Sequence, residues 1–402
     1  MVSEVQQFVL IEKEEDLALF YEKNHNVKWL SFDTEFVGEK RFYTLLCLIQ
    51  VATENGFYFI DSLKVKNLEP FFKLIRDPKI LKITHAGDND YRLLYSVGGV
   101  VPKNVFDVQL AAGFIGYKYP ISFRKISFAE LGVNLSKGYT VADWESRPFS
   151  QKQLKYALDD VLYLHPLYEK IYQRLEEMNR VEWVREECAK WEDEKTYIDD
   201  PNKEVLRSNL VKSLKLHKQA FLMRLLAWRR EQAKQKNYSK EMILPNKTIT
   251  TVVKNINSGK AALRSNRIIS QKFVNKYWDI FNELYQEPIT EEEKAILRQI
   301  PTRLEENPKQ EILMDMLFLM VKHKCLTKQI SPTLVIQRAI LKKMATDSSY
   351  METSLERGWR KELLGEALLN WLRTRNEIDF EIEGGTCVMK MQGIYNPNGM
   401  KK

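Results

Sequence analysis

Trp29-Leu30-Ser31-Phe32-Asp33-Thr34-Glu35 decides how this chain is read. The apolar run predicts a strand, and strands normally exclude acids because an unpaired buried carboxylate is expensive. Residues two apart on a strand point to the same face, so Asp33 and Glu35 aim two carboxylates at one point. Two like charges held together need a cation between them or a shared proton. Further along, Thr84-His85-Ala86-Gly87-Asp88-Asn89-Asp90-Tyr91 and Tyr156-Ala157-Leu158-Asp159-Asp160 supply more acids. Tyr156 and Asp160 are four apart, one above the other on a helix face. The carboxylates of Asp33, Glu35, Asp90 and Asp160 and the phenol of Tyr156 converge only in a folded site.

The pattern around these residues alternates strand and helix. Segments 8–11, 27–33, 45–52, 56–61 and 80–84 read as strands, and Thr53-Glu54-Asn55 reads as a hairpin turn. Segments 14–23, 68–75, 88–96, 107–115 and 150–175 read as helices. A meander followed by alternation predicts an α/β domain with a mixed sheet flanked by helices. In the last helix, Leu154, Ala157, Leu158, Val161, Leu164, Tyr168, Ile171 and Leu175 form an apolar stripe, and Tyr156, Asp160 and Tyr163 lie beside it. Ser150 with Gln153 three residues on predicts a capping box. Asp88 and Asp107 read as helix N-caps.

After the polar stretch 192–202, strand signals nearly vanish. Segments 206–216, 219–235, 248–257, 268–283, 291–299, 311–321, 332–345 and 361–375 all read as helices, and Glu287-Pro288-Ile289-Thr290 divides them into two small bundles. From residue 383 onward a poorly ordered or strand-like tail is expected.

A chain of 402 residues is too long for one ordinary core, so two or three domains are expected. Hydrophobic content of 44% with 29% charged residues describes a soluble globular protein. No apolar run approaches the roughly 20 residues that span a bilayer, so no membrane is expected, and the N-terminal residues lack a signal-peptide pattern. Cys47, Cys188, Cys325 and Cys387 show no metal-ligand spacing and read as reduced thiols of a cytoplasmic protein. The net charge of +8 is unevenly spread. Between Lys203 and Tyr277, 18 Lys and Arg face three acids, a local charge of +15 that leaves −7 for the rest. Such asymmetry predicts a polyanion partner.

Carboxylate oxygens without His or Cys nearby favour Mg²⁺ or Mn²⁺ over zinc. Four carboxylates suit two metal ions about 4 Å apart, one lowering the pKa of an attacking water and the other stabilising the leaving oxygen of a phosphodiester. Tyr156, one turn before Asp160, is placed to hold that water.

These motifs resemble the three exonuclease motifs of the DEDD superfamily: Asp33-Thr34-Glu35, Asp90, and Tyr156 with Asp160. Tyrosine four residues before the last Asp is the mark of the Tyr-type branch; the His-type branch carries His where this chain has Lys155. The match is closer to the bacterial ribonuclease D family, through Phe32–Phe36, Leu48-Ile49-Gln50, His85-Ala86-Gly87, Asp107-Val108-Gln109-Leu110-Ala111-Ala112 and Asp143-Trp144 with Arg147-Pro148. Leu225-Leu226-Ala227-Trp228-Arg229 resembles the first of that family's two HRDC helical domains, and Gly358-Trp359-Arg360 with Glu362-Leu363 its C-terminal domain. The resemblance implies an RNase H-like exonuclease domain over residues 1–200, HRDC-type domains over 205–287 and 290–385, and a tail over 386–402. It implies a 3′→5′ exoribonuclease that trims precursor tRNA and other small structured RNAs and releases nucleoside 5′-monophosphates. A monomer is expected separately, because the pattern has no long apolar heptad or exposed edge. Asp33, Glu35 and Asp160 are implied to hold one metal ion, Asp33 to bridge to a second supported by Asp90, and Tyr156 to orient the attacking water.

His85, Trp144, Arg147, Arg229 and Arg230 are the candidates for substrate contact. Packing is an equally open role for His85, as is a structural Arg–aromatic contact for Trp144 and Arg147. Trp228 and Trp359 read as core. Three competing readings stand beside this one: a DNA 3′→5′ exonuclease, a non-catalytic RNA-binding or chaperone module that uses the basic helices, and a eukaryotic exosome-associated nuclease, against which the second helical domain weighs.

Overall fold

The structure is a computed structural model in which residues 7–135, 143–300, 308–375, 378–383 and 386–391 are described. Strands β1 (Phe8–Ile11), β2 (Trp29–Val37), β3 (Leu45–Thr53), β4 (Gly56–Ile60), β5 (Leu81–Thr84) and β6 (Val105–Asp107) form one mixed sheet in the order β1-β4-β3-β2-β5-β6. β3 runs antiparallel to β4, whereas β1 pairs with β4, β2 with β5, and β5 with β6 in parallel. Residues 46–53 of β3 are all buried, as expected of a central strand covered on both faces. The N-terminal helices are α1 (Glu14–Asn24), α2 (Glu69–Arg76), α3 (Asp88–Gly98), α4 (Val108–Phe114), α5 (Phe123–Leu131), α6 (Gln151–Leu162), α7 (Leu164–Glu177) and α8 (Val181–Cys188). Phe32 on β2 packs edge-on against Phe71 of α2 at 6.0 Å and Tyr91 of α3 at 5.9 Å, which pins the site strand into the core.

Several expectations change in detail. The helix expected over 150–175 breaks at Tyr163 (φ −99, ψ −1). Pro166 is the physical reason: its ring would clash with the carbonyl of residue 162, and it has no N–H to give, so it is tolerated only in the first turn of α7. Ser150 does form the capping box with Gln153. Asp107 ends β6, and its carboxylate accepts from the Leu110 N–H at 3.0 Å to cap α4. Asp88 is not an N-cap; Gly87 takes that position, and Asp88 accepts from Arg92 and from the Trp191 indole, each at 3.1 Å.

Packing divides the chain into two compact units, Met1–Thr34 with Leu48–Thr196 and Glu306–Lys402, and Glu35–Cys47 with Tyr197–Glu305. The second unit is helical: α9 (Lys203–Arg207), α10 (Leu216–Lys236), α11 (Lys240–Ile243), α12 (Asn246–Asn255), α13 (Gly259–Arg264), α14 (Gln271–Gln286) and α15 (Glu291–Leu297). Phe221, Leu225, Val252, Val253 and Phe281 are among its buried core. Trp228 sits edge-on to Tyr277 and Phe281, as core packing requires. Arg224 ties α15 to this bundle, donating to Glu293 at 2.6 Å and to the carbonyls of Leu284 and Glu287 at 3.0 and 2.9 Å.

The remaining helices, α16 (Pro308–Thr327), α17 (Pro332–Val335), α18 (Arg338–Thr346) and α19 (Gly358–Thr374), belong to the first unit, with a hairpin of β7 (Ile378–Glu383) and β8 (Thr386–Met391). Only β8 falls where a strand-like tail was expected; β7 lies within the segment expected as the second helical domain, and residues 392–402 of the tail lie outside the described residues. A single helix was expected over 332–345, but Ile336 is extended (φ −148, ψ 139), and Arg360 donates to the Val335 and Leu334 carbonyls freed there. Trp359, 1% exposed, packs against Phe114 at 4.7 Å and Trp183 at 5.9 Å, and its indole N–H donates to Glu187 at 2.9 Å. Among the described residues no helix is long and apolar enough to cross a membrane.

Trp359 therefore joins α19 to α4 and α8. Trp359→Ala is expected to cost about 3–5 kcal/mol in urea unfolding of the first unit; a loss below about 1 kcal/mol would show that the contact is dispensable.

Candidate active site

Alternation along β2 puts the side chains of Asp33 and Glu35 on one face. The α6 turn from Tyr156 to Asp160 brings a third carboxylate to them. Asp33, Glu35 and Asp160 each offer an oxygen, and these atoms all lie within 4.8 Å of one another. The set is hard oxygen only. The Asp160 Oδ2 atom is buried with no hydrogen-bond partner in the described structure, which a carboxylate tolerates poorly unless a cation takes it up. The residues thus fit a divalent cation of the Mg²⁺ class.

Asp90 stands beside this cluster. It is buried on α3, and the Thr34 hydroxyl donates to its Oδ1. Thr34 lies between the two β2 acids and faces away from them, so one strand serves the cluster with one side and Asp90 with the other. Thr34 drew no notice in the sequence; its place inside the acidic triplet was the available signal. Asp107, read in the sequence as a helix cap alone, does more: its Oδ2 accepts from the Gly87 N–H at 2.9 Å and fixes the loop that leads into α3.

Burial pushes the Asp90 carboxyl up to about 7, against the Thr34 hydrogen bond, which favours the charged form. Burial likewise pushes Asp160 up to about 7; the hydrogen bond from Tyr156 opposes this, and the charges of Asp159 and Asp90 add to it. Asp159 itself is only half-buried and is raised for the same first reason, loss of water.

The expected substrate contacts fare differently. Arg229 is 2% exposed, and its guanidinium is committed to Glu204, the Leu244 carbonyl at 2.9 Å and Asn246 Oδ1 at 2.9 Å. It braces the helical bundle from a buried position. Arg147 donates from Nε and Nη2 to the fully buried Asp61 at 2.6 and 2.8 Å and from Nη1 to the Trp144 carbonyl at 2.7 Å. It also lies over the Phe149 ring at 3.9 Å, a structural Arg–aromatic contact of the kind left open beside substrate contact. Trp144, 4% exposed, packs behind Tyr156 at 6.3 Å and supports the phenol. The His85 Nε2 meets the Ile121 carbonyl at 3.1 Å, its ring packs on Phe123, and burial lowers its pKa, so it sits as a neutral packed ring. Arg230, half-buried, pairs with Asp199 at 3.2 Å and keeps an accessible edge.

The raised carboxyls make the metal-free fold pH-sensitive. Protons held by the folded chain have already left the unfolded one, so this stabilisation is complete below about pH 4 and is lost as pH rises through about 7. In chelator, the melting temperature of the wild type should fall more steeply between about pH 5 and 8 than that of Asp160→Asn, and Mg²⁺ should restore it at the alkaline end. Parallel slopes for the two proteins would contradict the burial argument.

Comparison with known proteins identifies the family. A family model described as 3′-5′ exonuclease matches residues 8–176, and one described as HRDC domain matches residues 218–285. Ribonuclease D of Bartonella henselae is 30% identical over 94% of this chain and 92% of its own length. Ribonuclease D of Pseudomonas paraeruginosa is 30% identical over 86% of this chain and 92% of its own. The crystal structure of Escherichia coli RNase D, an exoribonuclease involved in structured RNA processing, superposes with a TM-score of 0.78 at 23% identity, over 92% of this chain and 100% of that one, and shares the fold. The chain belongs to the ribonuclease D family and is a 3′→5′ exoribonuclease.

Proposed function

We propose that Asp33, Glu35 and Asp160 are the metal-binding carboxylates of the hydrolytic site, that Asp90 supports them, and that Tyr156 positions the attacking water. The observation that carries this is the meeting of three carboxylates around a buried, unpartnered Asp160 oxygen. Two divalent cations, Mg²⁺ or Mn²⁺, supply the lowered water pKa and the neutralised leaving oxygen when bound there. The protein's own part is positional. β2 is fixed by Phe32 in the core, and α6 is fixed at its start by the capping box. The Tyr156 hydroxyl, hydrogen-bonded to Asp160 and backed by Trp144, holds a water in line with the terminal phosphodiester. Thr34 and Asp107 hold Asp90 and its loop in register.

The substrates we assign are precursor tRNA and other small structured RNAs with single-stranded 3′ ends, trimmed to nucleoside 5′-monophosphates. A strand threads to a recessed cluster, and a paired stem stalls. The charge of +15 between Lys203 and Tyr277 supports a polyanion substrate. We assign a monomer acting in the cytoplasm, a compartment that suits the buried free thiols of Cys47, Cys188 and Cys325.

A time course on 5′-labelled RNA with a hairpin and a 3′ tail, beside matched DNA, tests the assignment. Metal-dependent one-nucleotide laddering of the RNA tail, stalling near the stem, is expected. Laddering of DNA alone would move the substrate to DNA, and retention of RNA without cleavage would leave only a binding module. Asp33→Ala should lower kcat by about 10³-fold or more, about 4 kcal/mol of barrier, with RNA affinity largely kept. Tyr156→Phe should lower kcat by about 10²-fold with little change in KM; unchanged turnover in either variant would remove that residue from the site.

A further inference from the structure

The second unit holds a cavity of about 560 Å³, walled by the segment from Asp199 to Leu210, by α10 and α12, and by Phe42 from the loop between β2 and β3. That size lies within the range of ligand sites. Its floor is apolar, with Leu222 and Ile249 both buried. Phe42 adds one aromatic ring to the wall and stands edge-on to the half-exposed Tyr43 at 4.9 Å. The loop that presents these rings is tied down. The Ser239 N–H donates to the Lys40 carbonyl at 3.0 Å, and the Tyr43 N–H donates to Asn237 Oδ1 at 3.0 Å. Asn237 is the left-handed cap that ends α10, so this helix end sets the place of the loop.

The polar wall carries one cation more than it has acids, with Asp200 a third carboxylate beside Asp199 and Glu204. Arg230 faces Asp199 at 3.2 Å, and Lys240 faces Glu204 at 2.7 Å, a carboxylate that Arg229 also shares. Lys203 and Arg207 lie one turn apart on α9, both exposed, with no acid partner among the described residues. Asn246 spends its Oδ1 on Arg229, which leaves its amide N–H₂ as the donor it can offer.

An inorganic anion would leave the apolar floor unused, and an apolar peptide would leave Lys203 and Arg207 unmatched. A nucleotide uses both: the π-face of a base against an aromatic ring, and phosphates on paired cations. We propose that this cavity holds one nucleotide of a single-stranded RNA segment, its base against Phe42 and its adjoining phosphates on Lys203 and Arg207. The inference rests on the exoribonuclease activity and makes the chain an RNA holder through residues other than the carboxylates, Phe42 following Glu35 by seven residues in the chain. RNA long enough to fill the cavity gains affinity that a dinucleotide cannot.

The test uses the full chain in two measurements. In the first, unstructured RNA carrying 5-iodouracil at successive interior positions is photo-crosslinked to the wild type, and the adduct is mapped by mass spectrometry. A crosslink at Phe42 or Tyr43 from one interior position is expected; crosslinks confined to other regions would overturn the proposal. In the second, RNA affinity is measured against salt. Phe42→Ala should weaken binding of long RNA about tenfold, and Phe42→Trp should retain it. Lys203→Gln with Arg207→Gln should lower the slope of log affinity against log salt by about 1.4, the loss of two single-strand phosphate contacts. Wild-type affinity and slope in these variants would overturn the proposal even if the RNA is degraded normally. Failure of the wild type to hydrolyse RNA of any length, dinucleotides included, would instead overturn the proposed function, so the two failures are distinct.

Discussion

Mutual repulsion of carboxylates out of water is the constraint on which the rest of this structure depends. Asp33, Glu35 and Asp160 are gathered within 4.8 Å, and buried Asp90 is close enough to raise Asp160. Their mutual repulsion opposes folding when no cation is bound. The stability must come from elements that carry the acids while taking none of their energy from the site. Phe32 does this for β2 by packing on Phe71 and Tyr91, and the buried Ala157 and Val161 do it for α6. A strand supplies acids by alternation, and a helix supplies one more by its turn. The cost appears as two carboxyls pushed up to about 7 and an oxygen without a partner.

The helical unit uses its excess of cations in two ways. Arg224 and Arg229 are turned inward, each donating to an acid and to backbone carbonyl oxygen, and they brace helices. Arginine suits this because its planar fork can satisfy several acceptors at once. Lys203 and Arg207 face outward and keep their charge for a partner. Local charge alone therefore overstates what is available to RNA, and the accessible cations are the ones that set affinity and salt dependence.

Much of the site was legible because its geometry is local. The two-residue spacing of Asp33 and Glu35 and the four-residue spacing of Tyr156 and Asp160 fix which way each side chain points once strand and helix are known. The mixed sheet followed from the same alternation, and the capping box from Ser150 and Gln153. What the sequence concealed depends on distant partners. Arg147 was open to substrate or to a structural aromatic contact, and its ion pair with the buried Asp61, 86 residues away in the chain, has no local sign. Arg229 looked like a phosphate contact until Glu204 and the Leu244 carbonyl enclosed it. Asp90 was found by its motif, but its link to Thr34 spans 56 residues and has no local sign. The break at Tyr163 was available, because Pro166 announces it, and the long apolar stripe outweighed that single residue in the pattern.

The central claim is that the gathered carboxylates exist to hold cations. Mn²⁺ titration followed by the electron paramagnetic resonance signal of the free ion tests it without reference to turnover. The wild type at about pH 8, where the raised carboxyls are ionised, should take up close to two Mn²⁺ per chain, and Asp160→Asn at least one fewer. Equal uptake by the two proteins would contradict the account, because the cluster would then be a group of acids that binds no metal.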